Sequence, residues 1–467
     1  MSVNNTFRLD SNAATWQLME KRLITPSIEN TRRLLKQGIW AYFLLVFFEG
    51  ALRKWVVPGL STPLLLIRDP IAIFLIIKSI HARLFPPNGY VTGMVLIAII
   101  GTITTLLAGH GNIGVALYGA RIFLVHFPMI FVIGNIFDRE DVLKIGRFTV
   151  WLSIPMTVLI ALQFYSPQDA WVNRGVGGNM EGAGFSGALG FFRPPGTFSF
   201  TNGNTLFYSF LAPFLFYFWL SAKQINRLVL LASTLCLFAS ISLSISRSLF
   251  FGVIISLVFA TLAIARKPQY LGKMILAYLV GLILFVAISQ TSLFKISAEA
   301  FTSRLEGAVE HEGGLKGTFG HRYLGGMADA ISASPGLPFF GHGLGYGTSV
   351  GGSLLQGKMG LQISEDEWGR MVGEMGPLLG LIAVILRLGL AFSIARKAYG
   401  KLVIGDLLPW MLLSFGLINI VQGQWAQPTS LGFGVVIAGF LLASIRGDMP
   451  AQPIHTSSNR SPERRGR

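Results

Sequence analysis

The sequence predicts an all-α polytopic membrane protein, with about twelve transmembrane helices and one large loop subdomain on the outer side. Three observations predict it. The chain of 467 residues is 52% hydrophobic and only 13% charged, roughly half the charged share of a soluble domain. Apolar runs long enough to cross hydrocarbon recur from end to end, with a mean hydropathy of +0.58; they are continuous rather than alternating, which favours helices over a barrel. The lysines and arginines behind the formal net charge of +16 gather in short loops and tails, as membrane orientation requires. That distribution accounts for the charge without a nucleic-acid partner.

The first 36 residues form a polar tail with no apolar core for a signal peptidase. The tail ends in a basic flank, Thr31 to Lys36, that belongs in the cytoplasm. A membrane domain follows over 37–291, with nine spans near 37–57, 61–80, 91–109, 112–137, 145–165, 204–221, 226–245, 248–266 and 273–291. Three more, near 371–395, 402–423 and 427–445, make up a second membrane segment over 371–445. The loops that fall inside carry Lys78 and Arg83; Arg139, Lys144 and Arg147; Lys223 and Arg227; Arg266, Lys267 and Lys273; Arg396, Lys397 and Lys401. The tail 446–467 also ends inside, polar and disordered, so both termini are expected in the cytoplasm. The lone cysteine, Cys236, lies in an apolar run and reads as packing.

Two outer loops are long. The first, 166–203, is glycine-rich before it reaches Arg193. The second, 292–370, is the expected subdomain. It opens on an amphipathic helix with Phe301, Leu305 and Val309 on one side and Arg304, Glu306 and Glu310 on the other. A second short helix is expected from Arg322 to Ala333, ended by Pro335 to Pro338 and followed by a flexible GHGLGYG turn. No internal repeat is evident, so the inverted halves of many transporters are not.

Ionisable residues within spans are costly, so they pair or do work. Glu49 and Arg53 stand one helical turn apart and can pair; Arg68 and Asp69, before Pro70, form a local pair. Internal ion pairs that orient the bundle weigh as much here as ligand binding. Arg121, near His126, has no acid beside it in sequence and is the strongest ligand candidate of this set. With Arg193, Arg247, Arg304, Arg322 and Arg370 it makes an outward-facing collection of arginines with few lysines among them. Such a set suits bidentate binding of phosphate or pyrophosphate and supplies fixed charge without a metal ion.

Acids share that side. Glu365, Asp366, Glu367 and Glu374 flank the tenth span, and Glu367, Arg370 and Glu374 fall on one helical stripe. They read equally as acids at a helix start, favoured by its dipole, or as carboxylates available for proton transfer. GHGLGYG has a dinucleotide-like look but follows no strand. His321 and His342 read as loop histidines without a metal-ligand pattern, and Asp138 to Asp141 as a helix cap. No metal or cofactor is expected.

These motifs together resemble the O-antigen ligase and polymerase superfamily of bacterial membrane glycosyltransferases. RPPGTFSFTNGN, from Arg193 to Asn204, is similar to its Arg-Pro-x-Gly-Thr-Phe motif. Ser246-Arg247 lies between spans as the family's second arginine does. Arg322 follows in the large loop, ahead of Pro338 to Gly345, and Glu374-Met375-Gly376 resembles the Glu-x-Gly after that loop. The resemblance covers about residues 37–445, and its specific part is confined to these short motifs. It implies an inner-membrane enzyme of the periplasmic face. Such an enzyme moves a glycan from undecaprenyl pyrophosphate to a hydroxyl on a glycan or lipid acceptor, with inversion and without a metal. By position, Arg193, Arg247 and Arg322 would hold the pyrophosphate. Where the ligases carry a His-Asn pair shortly before Glu-x-Gly, this chain has Glu365 and Asp366. Glu365 is then the expected base, and the acceptor need not be lipid A core.

Rival readings remain. A transporter or flippase of an anionic lipid-linked glycan would need charges along a path to the inner half, where only Arg387 stands, free to snorkel inward. A polyprenyl-monophosphate glycosyltransferase would need an acid in the first outer loop, and Pro58 to Thr62 has none. A non-catalytic assembly component of an envelope polysaccharide system is the third, favoured by the missing His-Asn.

Overall fold

The computed structural model describes residues 10–220, 225–266, parts of 271–290, 291–311, 337–357 and 366–446, with side chains from Ile28 onward in the first helix. The described chain is helical almost throughout. In order come α1 (Asp10–Ala51), α2 (Arg68–His81), α3 (Gly89–Ala108), α4 (Ile113–Arg121), α5 (Phe127–Ile136), α6 (Arg139–Tyr165) and α7 (Thr201–Leu220). They are followed by α8 (Arg227–Leu243), α9 (Arg247–Arg266), α10 (Ser292–His311), α11 (Ser349–Gln356), α12 (Glu367–Val403), α13 (Leu407–Gln422) and α14 (Pro428–Arg446). Among the described residues, seven helical segments are long and apolar enough to cross a membrane: Ile28–Val56, α3, Ile113–Ile136, α6, α9, α12 and α14.

The expected second span, 61–80, does not form a long helix. Pro58 and Pro63 each open a 3-10 turn, Pro58–Leu60 and Pro63–Leu66, and only the 14-residue α2 follows. Proline supplies a helical first turn but no N–H to continue the preceding one. The expected ninth span, 273–291, lies largely outside the described residues, as does the short helix expected from Arg322 to Ala333.

The core is aromatic. Phe43, Phe47, Phe207, Phe210 and Phe433, from α1, α7 and α14, are all buried. Their rings meet mostly edge-on, at 4.6 Å between Phe43 and Phe47 and 5.3 Å between Phe47 and Phe207, the geometry that ring quadrupoles favour. Small residues let α5 and α14 approach: Gly439 faces Ile133 and Gly134 faces Leu442, as in helix pairs within lipid. The outward faces are apolar as well. Leu96, Ile99, Ile100, Ile103 and Leu107 of α3 are exposed, and so are Leu378, Ile382, Ile385 and Phe392 of α12. Stripes of that size suit hydrocarbon rather than water.

One end of the bundle is held by ion pairs of the basic loops. Lys36 reaches Asp138 at 2.7 Å and Asp141 at 2.5 Å, and Arg139 reaches Asp406 at 2.6 Å. Asp138 caps α6 as its sequence predicts, in a reciprocal box with Asp141.

Candidate functional site

At the other end, the loop between α6 and α7 is more ordered than its glycines suggest. It contains a hairpin of β1 (Phe185–Ala188) and β2 (Phe191–Arg193). The two turn residues, Leu189 (φ 51°) and Gly190 (φ 80°), are both left-handed, as a two-residue turn matched to strand twist requires. Arg193 ends β2, and its Nε donates to the Ser244 carbonyl at 3.4 Å. That carbonyl belongs to the turn that starts α9, where the Ser246 hydroxyl accepts from Leu249 N and Arg247 is the first helical residue. The helix α10 arrives at the same hairpin. Arg304 donates to the Ser186 carbonyl at 3.3 Å, and Phe301 packs on Phe250 at 5.7 Å, one turn from Arg304 and Arg247 respectively. Arg193 and Arg304 thus meet at one hairpin, and the Arg193 contact joins it to the turn that leads into Arg247. Arg322 and Glu365 lie outside the described residues.

The rest of the RPPGTFSFTNGN segment is a strap across the helices. Gly196 accepts from Lys54 Nζ at 2.6 Å and exchanges two hydrogen bonds with the Gln163 amide. Thr197 donates to the Phe47 carbonyl at 2.7 Å, and Asn202 reaches Gln427 and Ser430. Lys54, fully buried, and Gln163 went unremarked in sequence. The available signal was a lysine beside Arg53 at the end of an apolar run.

The tenth span begins differently from its expected start near 371. The helix α12 is broken at Gly376 (φ 77°, ψ 169°), before Pro377. In a straight helix Glu367 and Arg387 would be about 30 Å apart; here they are 2.8 Å apart. The short arm, Glu367 to Met375, therefore folds back on the long arm that follows Pro377, with Gly380 packed on the backbone of Met371 and Val372. The fold-back leaves carbonyls at the end of the short arm without helical partners. His342 N takes that of Gly373 at 2.8 Å and Gly343 N that of Glu374 at 2.9 Å. The GHGLGYG segment, expected to be flexible, is thus a packed loop, further held by Leu344 N on Thr105 Oγ1 at 2.8 Å and by His110 on the Leu344 carbonyl at 3.0 Å. A Cβ at Gly376 would overlap the Phe339 carbonyl, and its backbone conformation belongs almost solely to glycine. Gly376→Ala is expected to destabilise the protein by about 3 kcal/mol; an unchanged melting curve in detergent would show that the break does not need glycine.

The predicted stripe lines the short arm, closed upon itself. Glu367 accepts from Arg370 Nε at 3.0 Å and Nη2 at 2.9 Å, from Arg387 Nη1 at 2.8 Å and from Trp425 N at 3.0 Å. Glu374 accepts from Arg370 Nη1 at 2.6 Å and from Gly347 N at 2.9 Å. Arg387, expected to snorkel inward, is fully buried; its guanidinium lies 3.9 Å over the Trp425 ring and donates to the Ile420 and Gly423 carbonyls. Two acids match two arginines. Asp366 caps the arm through Gly369 N at 2.7 Å, so it serves the helix start as its position suggests.

A second charged cluster joins α1, α2 and α4. Glu49 and Arg53 pair at 3.5 Å as their spacing predicts. Arg68 does not pair with Asp69. It turns to Glu49 at 3.2 Å and to the Pro428 carbonyl at 2.5 Å. Asp69 instead accepts from Arg121 at 2.8 and 2.9 Å and meets His126 Nε2 at 2.9 Å, while Tyr42 meets His126 Nδ1 at 2.9 Å. Arg121, without an acid nearby in sequence, has one in space.

No family model, curated protein or solved structure matches the chain.

Proposed function

We propose that the chain is a bacterial inner-membrane glycosyltransferase of the O-antigen ligase and polymerase kind. It would transfer a glycan from an undecaprenyl-pyrophosphate donor to a glycan or lipid acceptor at the periplasmic face. The observation that supports the reading is the meeting of Arg193 and Arg304 at one hairpin, tied by Arg193 to the turn that leads into Arg247. That hairpin lies at the end of the bundle away from the basic loops. On this reading α2, α7, α8, α13 and residues 273–291 complete about twelve spans, with 292–370 as a periplasmic subdomain and both termini in the cytoplasm.

The chemistry follows from where charge develops. The acceptor hydroxyl attacks the anomeric carbon from the face opposite the pyrophosphate, and the carbon–oxygen bond to the leaving group breaks. Negative charge grows on the pyrophosphate, so guanidiniums fixed around it favour the transition state over the ground state. Arg193, Arg247 and Arg322 take that role, with Arg304, on the same hairpin as Arg193, as a further candidate. The acceptor proton goes to a carboxylate, for which we assign Glu365. Glu367, Arg370 and Glu374, closed on one another, hold the folded-back arm that Asp366 caps.

The test is a transfer assay on Glu365→Gln. Loss of turnover by about a hundredfold or more, with donor binding retained, is expected. Turnover at the wild-type rate would remove Glu365 from the base role.

A further inference from the structure

The two buried charge clusters differ in a way that bears on ligands. In the Glu367 network two carboxylates meet two guanidiniums, and every buried polar side-chain atom has a partner. The cluster at the α1–α2 end is not closed. Glu49 pairs with Arg53 and Arg68, and Asp69 with Arg121, so three guanidiniums face two carboxylates among the ion pairs of the described residues. His126 sits between the Tyr42 hydroxyl and Asp69, an arrangement that a neutral imidazole satisfies. Lys54, next to Arg53, is also fully buried, where its amine meets the Gly196 carbonyl and the Trp55 ring.

Hydrogen bonding is open at the same place. Arg68 Nη1, Arg121 Nε and the Tyr118 hydroxyl are buried without a hydrogen-bond partner, while Arg68 Nε is ion-paired with Glu49 at 3.2 Å. Such groups are costly to leave unmet away from water. Arg68 is 2% exposed, whereas the Arg53, Arg121 and Asp69 side chains retain 10 to 14%, so the cluster has an edge that can be reached. The two π turns of the described chain, Leu52–Val56 and Ile122–His126, carry Arg53, Lys54 and His126 into it, and π turns inside helices frequently accompany functional sites.

We infer that this cluster is a second anion site, which takes a phosphate or pyrophosphate group between Arg53, Arg68 and Arg121. Surplus positive charge calls for an anion, and guanidinium forks with unused N–H groups match tetrahedral oxyanions. It is built from other arginines than those at the hairpin, and the strap that follows Arg193 borders it through Ser199 on Arg53 and Gly196 on Lys54. In one respect the inference rests on the glycosyl-transfer reading: in a polymerase both reacting glycans are attached to a lipid pyrophosphate, so two such groups must be held at once.

The test uses the full chain in detergent micelles, titrated calorimetrically with inorganic pyrophosphate and, separately, with farnesyl pyrophosphate. An Arg193→Gln/Arg247→Gln background removes the hairpin site, so what still binds reports the second site whatever the first one does. In that background binding is expected to persist, to weaken roughly tenfold with Arg53→Gln and to tighten roughly tenfold with Glu49→Gln. Opposite signs from two partners in one ion pair are the signature of an anion site, because a purely structural pair would lose in both. Response to both probes identifies the phosphate group itself as the ligand; response to farnesyl pyrophosphate alone identifies a lipid headgroup. No binding in the background variant, or equal weakening by both substitutions, would overturn the inference. Glu49→Gln keeps the test decisive should Arg53→Gln fail to fold.

Discussion

Glu367→Gln should lower the stability of the protein by about 3–5 kcal/mol, the range seen when one partner of a buried ion pair is removed. Glu367 accepts four hydrogen bonds, from two arginines and one backbone amide. A neutral amide would leave Arg370 and Arg387 buried together with Glu374 as the remaining counter-charge of that network. The effect should extend beyond the substituted position, because this carboxylate joins the short arm of α12 to the long arm and to Trp425 before α14. Thermal unfolding in detergent measures it, with Asp366→Ala as the comparison. That variant removes the cap on Gly369 N, worth about 1 kcal/mol. Equal melting temperatures for the two would mean that the network does not hold the fold-back.

The second large effect is on turnover. Arg193→Lys and Arg247→Lys each keep the charge and remove the planar fork, so on the proposed chemistry each loses most transfer activity, by roughly a hundredfold. The loss should fall on kcat more than on KM, since the pyrophosphate gains charge only as the sugar bond breaks. Arg193 sits at the edge of the hairpin, where its Nε donates to a turn carbonyl at 3.4 Å, so the melting temperature should change less than the turnover does. Near-normal polymer production by either variant would remove pyrophosphate clamping from its role.

Local patterns were legible in the sequence and distant ones were not. Helical spacing paired Glu49 with Arg53, placed Glu367, Arg370 and Glu374 on one face and made Asp138 a cap, because each depends only on a few neighbouring residues. The partner of Arg121 is Asp69, in another helix, and nothing local marks that pairing. Composition made GHGLGYG look flexible. Its amides are in fact required by carbonyls released where α12 breaks, and that need is visible only once the break is seen. Gly376-Pro377 was the available sign, but a single apolar run extends past it, so hydropathy reads the run as one span. For the same reason Arg387 looked like a residue near the inner edge, although the fold-back brings Glu367 to it. Short strands such as β1 and β2 give little periodic signal, and Leu189 at a left-handed position is a poor advertisement for a turn. The hairpin where Arg193 and Arg304 meet was therefore the least legible part of the site.

The central claim is tested most directly by supplying the purified full chain, reconstituted in liposomes, with an undecaprenyl-pyrophosphate oligosaccharide. The predicted result is release of free undecaprenyl pyrophosphate together with glycan lengthening or transfer to an added acceptor, at the same rate with and without a chelator. A growing lipid-linked ladder would identify a polymerase, and transfer to a different acceptor a ligase. Intact donor at the end of the reaction, with both acceptor types present and the protein folded, would contradict the account and turn attention to transport or assembly.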